Sequence, residues 1–153
     1  MKKLLRMLAV AAGLAGAGAA QAQLACNISS ASPMLFGTYN PLLFTDHLAQ
    51  TSMNIRCTGA DYRLMLIRLG PGLYGTVAAR NMRSAAGFTM SYFLYSNSAR
   101  SIIWGDGTGG TYPNFLIVGP GSNSTLQMYG RIPQRQNVRV GAYTDIVTVA
   151  IDF

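Results

Sequence analysis

Charge is scarce in this sequence. Only 11% of its 153 residues are charged, and its five acids are all Asp, with no Glu anywhere. Charged residues make up about a quarter of an ordinary globular chain, so long solvated helices are disfavoured. The surface must rest on Ser, Thr, Asn, Gln and Gly instead. Histidine occurs once and cysteine twice. That is little material for acid-base chemistry or a metal centre, so an enzyme is disfavoured before any motif is read, and no cofactor is implied. Beyond the N-terminal segment, no apolar run reaches the roughly 18 residues of a membrane-spanning helix.

What is present begins with an export signal. Lys2, Lys3 and Arg6 form a basic end, residues 7–20 an apolar run, and Ala20-Gln21-Ala22 a small-x-small exit. This is the pattern of a secretory signal peptide over residues 1–22, too short for a permanent membrane anchor. The mature domain then spans 23–153. Its cations are nine arginines, set against the five aspartates and scattered without a cluster. A nucleic-acid partner, which needs a concentrated basic stripe, is excluded on that ground. Cys26 and Cys57 are the only cysteines, and in an exported chain they are expected to form one structural disulfide. Closing that loop restricts the unfolded chain by roughly 3–4 kcal/mol.

From Cys26 onward, short alternating runs are separated by Gly, Pro, Asn and Ser, which predicts an all-β sandwich or barrel. Residues 51–58 put Met53, Ile55 and Cys57 on one face and Asn54 and Arg56 on the other. Residues 62–69 are apolar on both phases, so their inward face stays unassigned. Further strands are expected at 88–95, 101–104 and 125–132, with one short helical turn allowed in the loop 73–86. The last strand is the clearest, because Val147, Val149, Ile151 and Phe153 share one face. From pattern alone, that face lines either a closed core or an open groove.

A set of landmarks in order narrows the choice. Cys26 is followed by Leu35-Phe36-Gly37-Thr38-Tyr39, Ile55-Arg56-Cys57, Arg80-Asn81-Met82 and Met90-Ser91-Tyr92-Phe93-Leu94-Tyr95. Trp104-Gly105-Asp106-Gly107, Tyr129-Gly130-Arg131-Ile132-Pro133 and the ending from Gly141 through Tyr143, Asp145 and Val149 complete the set. In this order and spacing the chain resembles the spore coat protein U domain family, the secreted subunits of archaic chaperone-usher pili. The resemblance implies an incomplete immunoglobulin-like β-sandwich that lacks its last strand and is completed by a donor strand. It implies as partners a periplasmic chaperone, an outer-membrane usher and neighbouring pilus subunits, which bind by β-strand addition. It also implies passage through the periplasm to a surface fimbrium, with adhesion and biofilm formation among the roles. Val147, Val149, Ile151 and Phe153 then become the wall of the donor-strand groove, while Tyr143 and Asp145 take folding roles.

One departure from the family bears on position in the fibre. Polymerising members carry a longer stretch before the first cysteine, whereas here only Gln23, Leu24 and Ala25 stand between the cleavage site and Cys26. The expectation is a subunit that accepts a strand without donating one, at or near the tip. The alternative is a self-contained secreted coat or carbohydrate-binding module. His47 reads as an exposed loop residue, and the run 105–110 as a glycine-rich turn without the ligands of a calcium or phosphate loop. Trp104 and Tyr112, with Tyr92 and Tyr95 nearby, are candidates for a surface recognition platform.

Overall fold

Alternation dictates the architecture. The computed structural model describes residues 23–59 and 61–153, so the predicted signal peptide lies outside the described residues. Nine strands follow one another: β1 (Ala25–Ala31), β2 (His47–Thr58), β3 (Arg63–Leu69), β4 (Arg80–Ser84), β5 (Thr89–Tyr95), β6 (Asn114–Val118), β7 (Asn123–Ile132), β8 (Tyr143–Thr144) and β9 (Val149–Asp152). They form a six-stranded sheet in the order β1-β2-β7-β5-β4-β8 and a three-stranded sheet in the order β6-β3-β9. Every pairing between these strands is antiparallel.

The core lies between the sheets. β2 turns Met53, Ile55 and Cys57 inward, and β7, paired with it from His47↔Ile132 to Arg56↔Asn123, adds Leu126, Met128 and Ile132. β3 resolves its two apolar phases by sending Met65, Ile67 and Leu69 into the core, each fully buried. Its other phase carries Arg68, which pairs with Asp152 at 3.4 Å across the β3–β9 ladder. Cys26 and Cys57 face each other in the β1–β2 register and are joined by the disulfide.

Two expectations about elements fail and β6 goes unforeseen, each for a physical reason. The loop 73–86 holds no helical turn; it contains β4, hidden in the sequence because Arg80 sits at an inward position. Residues 101–104 form no strand and make only isolated bridges, Tyr95↔Ile103 and Trp104↔Tyr112, as the chain crosses from one sheet to the other. β6 is a strand the alternation did not reveal, since its outward residues, Phe115 and Ile117, are themselves large and apolar.

A cleft between two unpaired edges

Both sheets end on a strand with no partner on one side among the described residues. β1 closes one end of the large sheet and β9 one end of the small sheet. A cleft of about 910 Å³, lined largely by apolar side chains, opens between Ala31 at the end of β1 and the stretch that holds β8 and Val149, the first residue of β9. One wall is the irregular segment 32–40, and the other runs from Val138 to Val149. The floor is the sandwich interior itself, where the buried side chains of Met82, Met90, Leu94, Met128 and Ile132 line the cleft between the walls.

Each wall is fixed by polar contacts. On the first, Ser32 continues the β1–β2 ladder by donating its N–H to Ser52 O at 3.2 Å, while Thr51 Oγ1 donates to Ser32 O at 2.8 Å. His47 Nε2 bonds the Phe36 carbonyl, and its ring stands edge-on to Tyr39. His47 is thus half-buried at the start of β2, not in an exposed loop as expected. The Tyr39 hydroxyl donates to Pro133 O at 2.8 Å and accepts from Gln136 N at 2.8 Å. Gly130 makes room for this wall, because a Cβ there would strike Met34 and Phe36.

The second wall hangs on Asp145. Its Oδ1 accepts from the Leu73 and Ile146 amides, both at 2.8 Å, and its Oδ2 accepts from the Tyr92 hydroxyl at 2.6 Å. Burial, and then the bond to Asp145, push the Tyr92 phenol well above its ordinary range. Beneath it lies Arg80, only 1% exposed, donating to the carbonyls of Gly70 at 2.9 Å, Leu69 at 3.2 Å and Trp104 at 3.0 Å. Burial lowers the affinity of this guanidinium for its proton, and the Tyr92, Asp145 and Asp106 charges oppose that. These carbonyls belong to the end of β3 and to the crossing segment, so one side chain ties both to β4.

The predicted site residues divide. Val147 and Val149 are half-buried and line the cleft. Ile151 packs on the core opposite Ile67 in the β3–β9 register but does not line the cleft. Phe153 lies beyond the end of β9 and is 54% exposed, so the groove face stops short of it. The recognition platform does not form around Trp104. That indole is fully buried, with Nε1 donating to Ile67 O at 2.8 Å, because an apolar ring with one donor is best placed where a carbonyl can receive it. Tyr92 and Tyr95 are buried as well, and of the four aromatics only Tyr112 is exposed. Asp106, in the glycine-rich loop, accepts from the Thr108 amide and hydroxyl at 2.9 and 2.7 Å, and these bonds hold its carboxyl below the usual range. The sequence patterns contain Met53, Met82 and Met90 but give no sign that they meet; each holds the inward phase of its strand, as Met128 does in β7.

Comparison with known proteins places this geometry. The sequence matches the profile of the Spore Coat Protein U domain over residues 12–150. It is 40% identical over 144 residues to Protein U of Myxococcus xanthus, a match covering 84% of this chain and 78% of that protein. Among solved structures it is similar to a chain of the CsuC-CsuE chaperone-tip adhesion subunit pre-assembly complex from the archaic chaperone-usher Csu pili of Acinetobacter baumannii. The TM-score is 0.61 at 24% identity, over 86% of this chain and 40% of that one, so this chain spans well under half of its structural neighbour. The fold is therefore all-β and immunoglobulin-like with one strand missing. The profile match across most of the sequence and the identity to Protein U show that this chain belongs to the Spore Coat Protein U domain family.

Proposed function

We propose that this chain is a non-enzymatic structural subunit of a surface pilus, and that its cleft receives an extended strand from a partner chain. The observation that carries the reading is the coincidence of an unpaired β9 edge with an apolar cleft beside it. An edge strand offers a row of free N–H and C=O groups, and a neighbouring apolar trough offers burial for alternate side chains; together they define β-strand addition. Each 100 Å² of apolar surface buried by such a strand contributes about 2.5 kcal/mol before ordering costs. The similar Acinetobacter fold occurs in a complex of a chaperone with a tip adhesion subunit before assembly. By that parallel the first occupant is a periplasmic chaperone and the second a neighbouring subunit, exchanged at an outer-membrane usher. The signal peptide would send the chain through the periplasm to the cell surface.

The reading extends to position. With cleavage after Ala22, the residues ahead of Cys26 are Gln23, Leu24 and Ala25, and Ala25 already belongs to β1. Leu24 is buried in the core as well, so on that cleavage two of the three residues are taken up by the chain's own fold and the segment is too short to fill a neighbour's cleft. A strand acceptor that does not donate belongs at or near the tip, where adhesion to a surface takes place.

The test is to express the precursor with its neighbouring genes, recover the product from the periplasm by a tag in an exposed loop, and weigh it by native mass spectrometry. A one-to-one complex with a second protein that completes the sandwich is the expected result. A lone folded monomer overturns the reading in favour of a self-contained secreted coat or binding module.

A further inference from the structure

The methionines after the signal peptide are not spread evenly through the interior. Residues 23–153 contain six of them, and Met34, Met53, Met82, Met90 and Met128 all line the cleft. Only Met65 lies elsewhere, fully buried in β3. Away from the cleft the core is built from stiffer shapes such as Ile55, Ile67, Val118 and Trp104, each at most 1% exposed, and the cleft's own branched residues stand mainly on its second wall, at Val138, Val140, Val147 and Val149, with Ile132 in the floor.

The two groups of side chains behave differently. Branched residues are restricted at χ1 and present a fixed relief. Methionine is unbranched, rotates about three bonds and carries a polarisable sulfur, so it refits irregular surfaces at little cost. A fixed apolar pocket separates ligands by roughly 10- to 200-fold per methylene. A methionine floor blunts that discrimination, and Met-rich surfaces elsewhere serve binders of many partners. Here Met53, Met82, Met90 and Met128 come from β2, β4, β5 and β7, so the adaptable floor extends across four strands.

We propose that the cleft is a permissive acceptor: it takes extended segments with apolar residues at alternate positions, whatever those residues are. The methionine floor reshapes to each segment, while the β9 edge supplies a backbone ladder common to all. The proposal rests on the strand-accepting reading above and defines its partner by pattern instead of by sequence.

The test refolds the processed chain, with its disulfide formed, in the presence of short synthetic peptides whose alternate positions are all Leu, all Ile, all Val, all Phe or all Met. A peptide with Asp at those positions serves as control. Native mass spectrometry counts the complexes, and pairwise competition ranks the peptides. Relative affinities within about tenfold across the apolar panel are expected, a spread of about 1.4 kcal/mol. One peptide preferred by more than about tenfold overturns permissiveness while leaving strand acceptance intact. If no apolar peptide binds better than the Asp control, strand acceptance falls, and this proposal with it. The role of the methionines is read from Met128→Ile and from the triple variant Met82→Ile, Met90→Ile, Met128→Ile, which replace flexible side chains by branched ones. A wider spread in either folded variant is expected. An unchanged spread overturns the assignment, and the single variant carries this arm should the triple fail to refold.

Discussion

Replacing Tyr92 by Phe removes one hydroxyl from the anchor of the second cleft wall and almost nothing else. The ring stays at 4% exposure on the inner face of β5, and no buried donor is left without a partner. Asp145 keeps the Leu73 and Ile146 amides on Oδ1, while Oδ2 loses the phenol. A hydrogen bond to a charged group contributes about 1.5–3 kcal/mol, but Asp145 is half-buried and water can reach the vacated oxygen, so the expected loss is about 1–2 kcal/mol. With a urea slope of about 1.5 kcal/mol per molar, the unfolding midpoint falls by about 1 M at unchanged slope. The same bond carries a pH signature. Folding raises the Tyr92 pKa above its ordinary 10.0, so above that pH the unfolded chain binds fewer protons than the folded one. The stabilisation by Tyr92 is therefore complete below pH 10 and is lost as the pH rises beyond it. The gap between the original protein and Tyr92→Phe should narrow in that range, because the other tyrosines contribute equally to both. An unchanged midpoint at neutral pH, or a gap that stays constant above pH 10, refutes the assignment of Asp145 and Tyr92 as the anchor.

Three further outcomes follow from the same contacts. Replacing both Cys26 and Cys57 by Ser releases a link spanning 31 positions and should cost about 3.7 kcal/mol on the loop-entropy model, seen as a lower denaturation midpoint relative to the oxidised chain. Ile151→Asp places a carboxylate on the half-buried inner face of β9 opposite Ile67 and should cost about 2–3 kcal/mol; an unchanged unfolding midpoint would contradict the packing of β9 on the core. Arg80→Met leaves the carbonyls of Leu69, Gly70 and Trp104 without their donor, a loss of about 3–5 kcal/mol by unfolding measurements, whereas Arg83→Met on the outward phase of β4 should change stability by less than about 0.5 kcal/mol.

Sequence alternation revealed the strands whose two faces differ and missed those whose faces break the rule. β2 and β7 were legible because Met53, Ile55 and Cys57, or Leu126 and Met128, alternate with polar residues. β4 was not, since a charged residue holds an inward position and its partners are backbone carbonyls 10 to 24 residues away, which no local pattern displays. β6 failed in the opposite sense, with Phe115 and Ile117 apolar on the solvent side. The cleft was half visible. Its wall at Val147 and Val149 follows from a period of two, but its floor is assembled from side chains of β2, β4, β5 and β7, whose meeting depends on the strand order of the sheet. Trp104 was misplaced for a related reason. It precedes a glycine-rich loop and so looked exposed, yet the carbonyl that receives its N–H comes from Ile67, 37 residues earlier.

The position of β2 in its sheet sets an order of events. One of its edges is satisfied by β1, close by in sequence and joined to it by the disulfide, while the other waits for β7, whose first residue is Asn123. As the chain emerges N-terminus first, β1, β2 and both thiols are available early. The long ladder from His47 to Arg56 cannot close until Asn123 through Ile132 have appeared. Through that interval the chain exposes a bare edge and an apolar face, the circumstances in which nascent β proteins aggregate. Early closure of the 26–57 crosslink leaves the span from β2 to β7 unchanged but pins β1 along one edge of β2, so the oxidation step covers that edge during the wait as well as stapling the finished molecule.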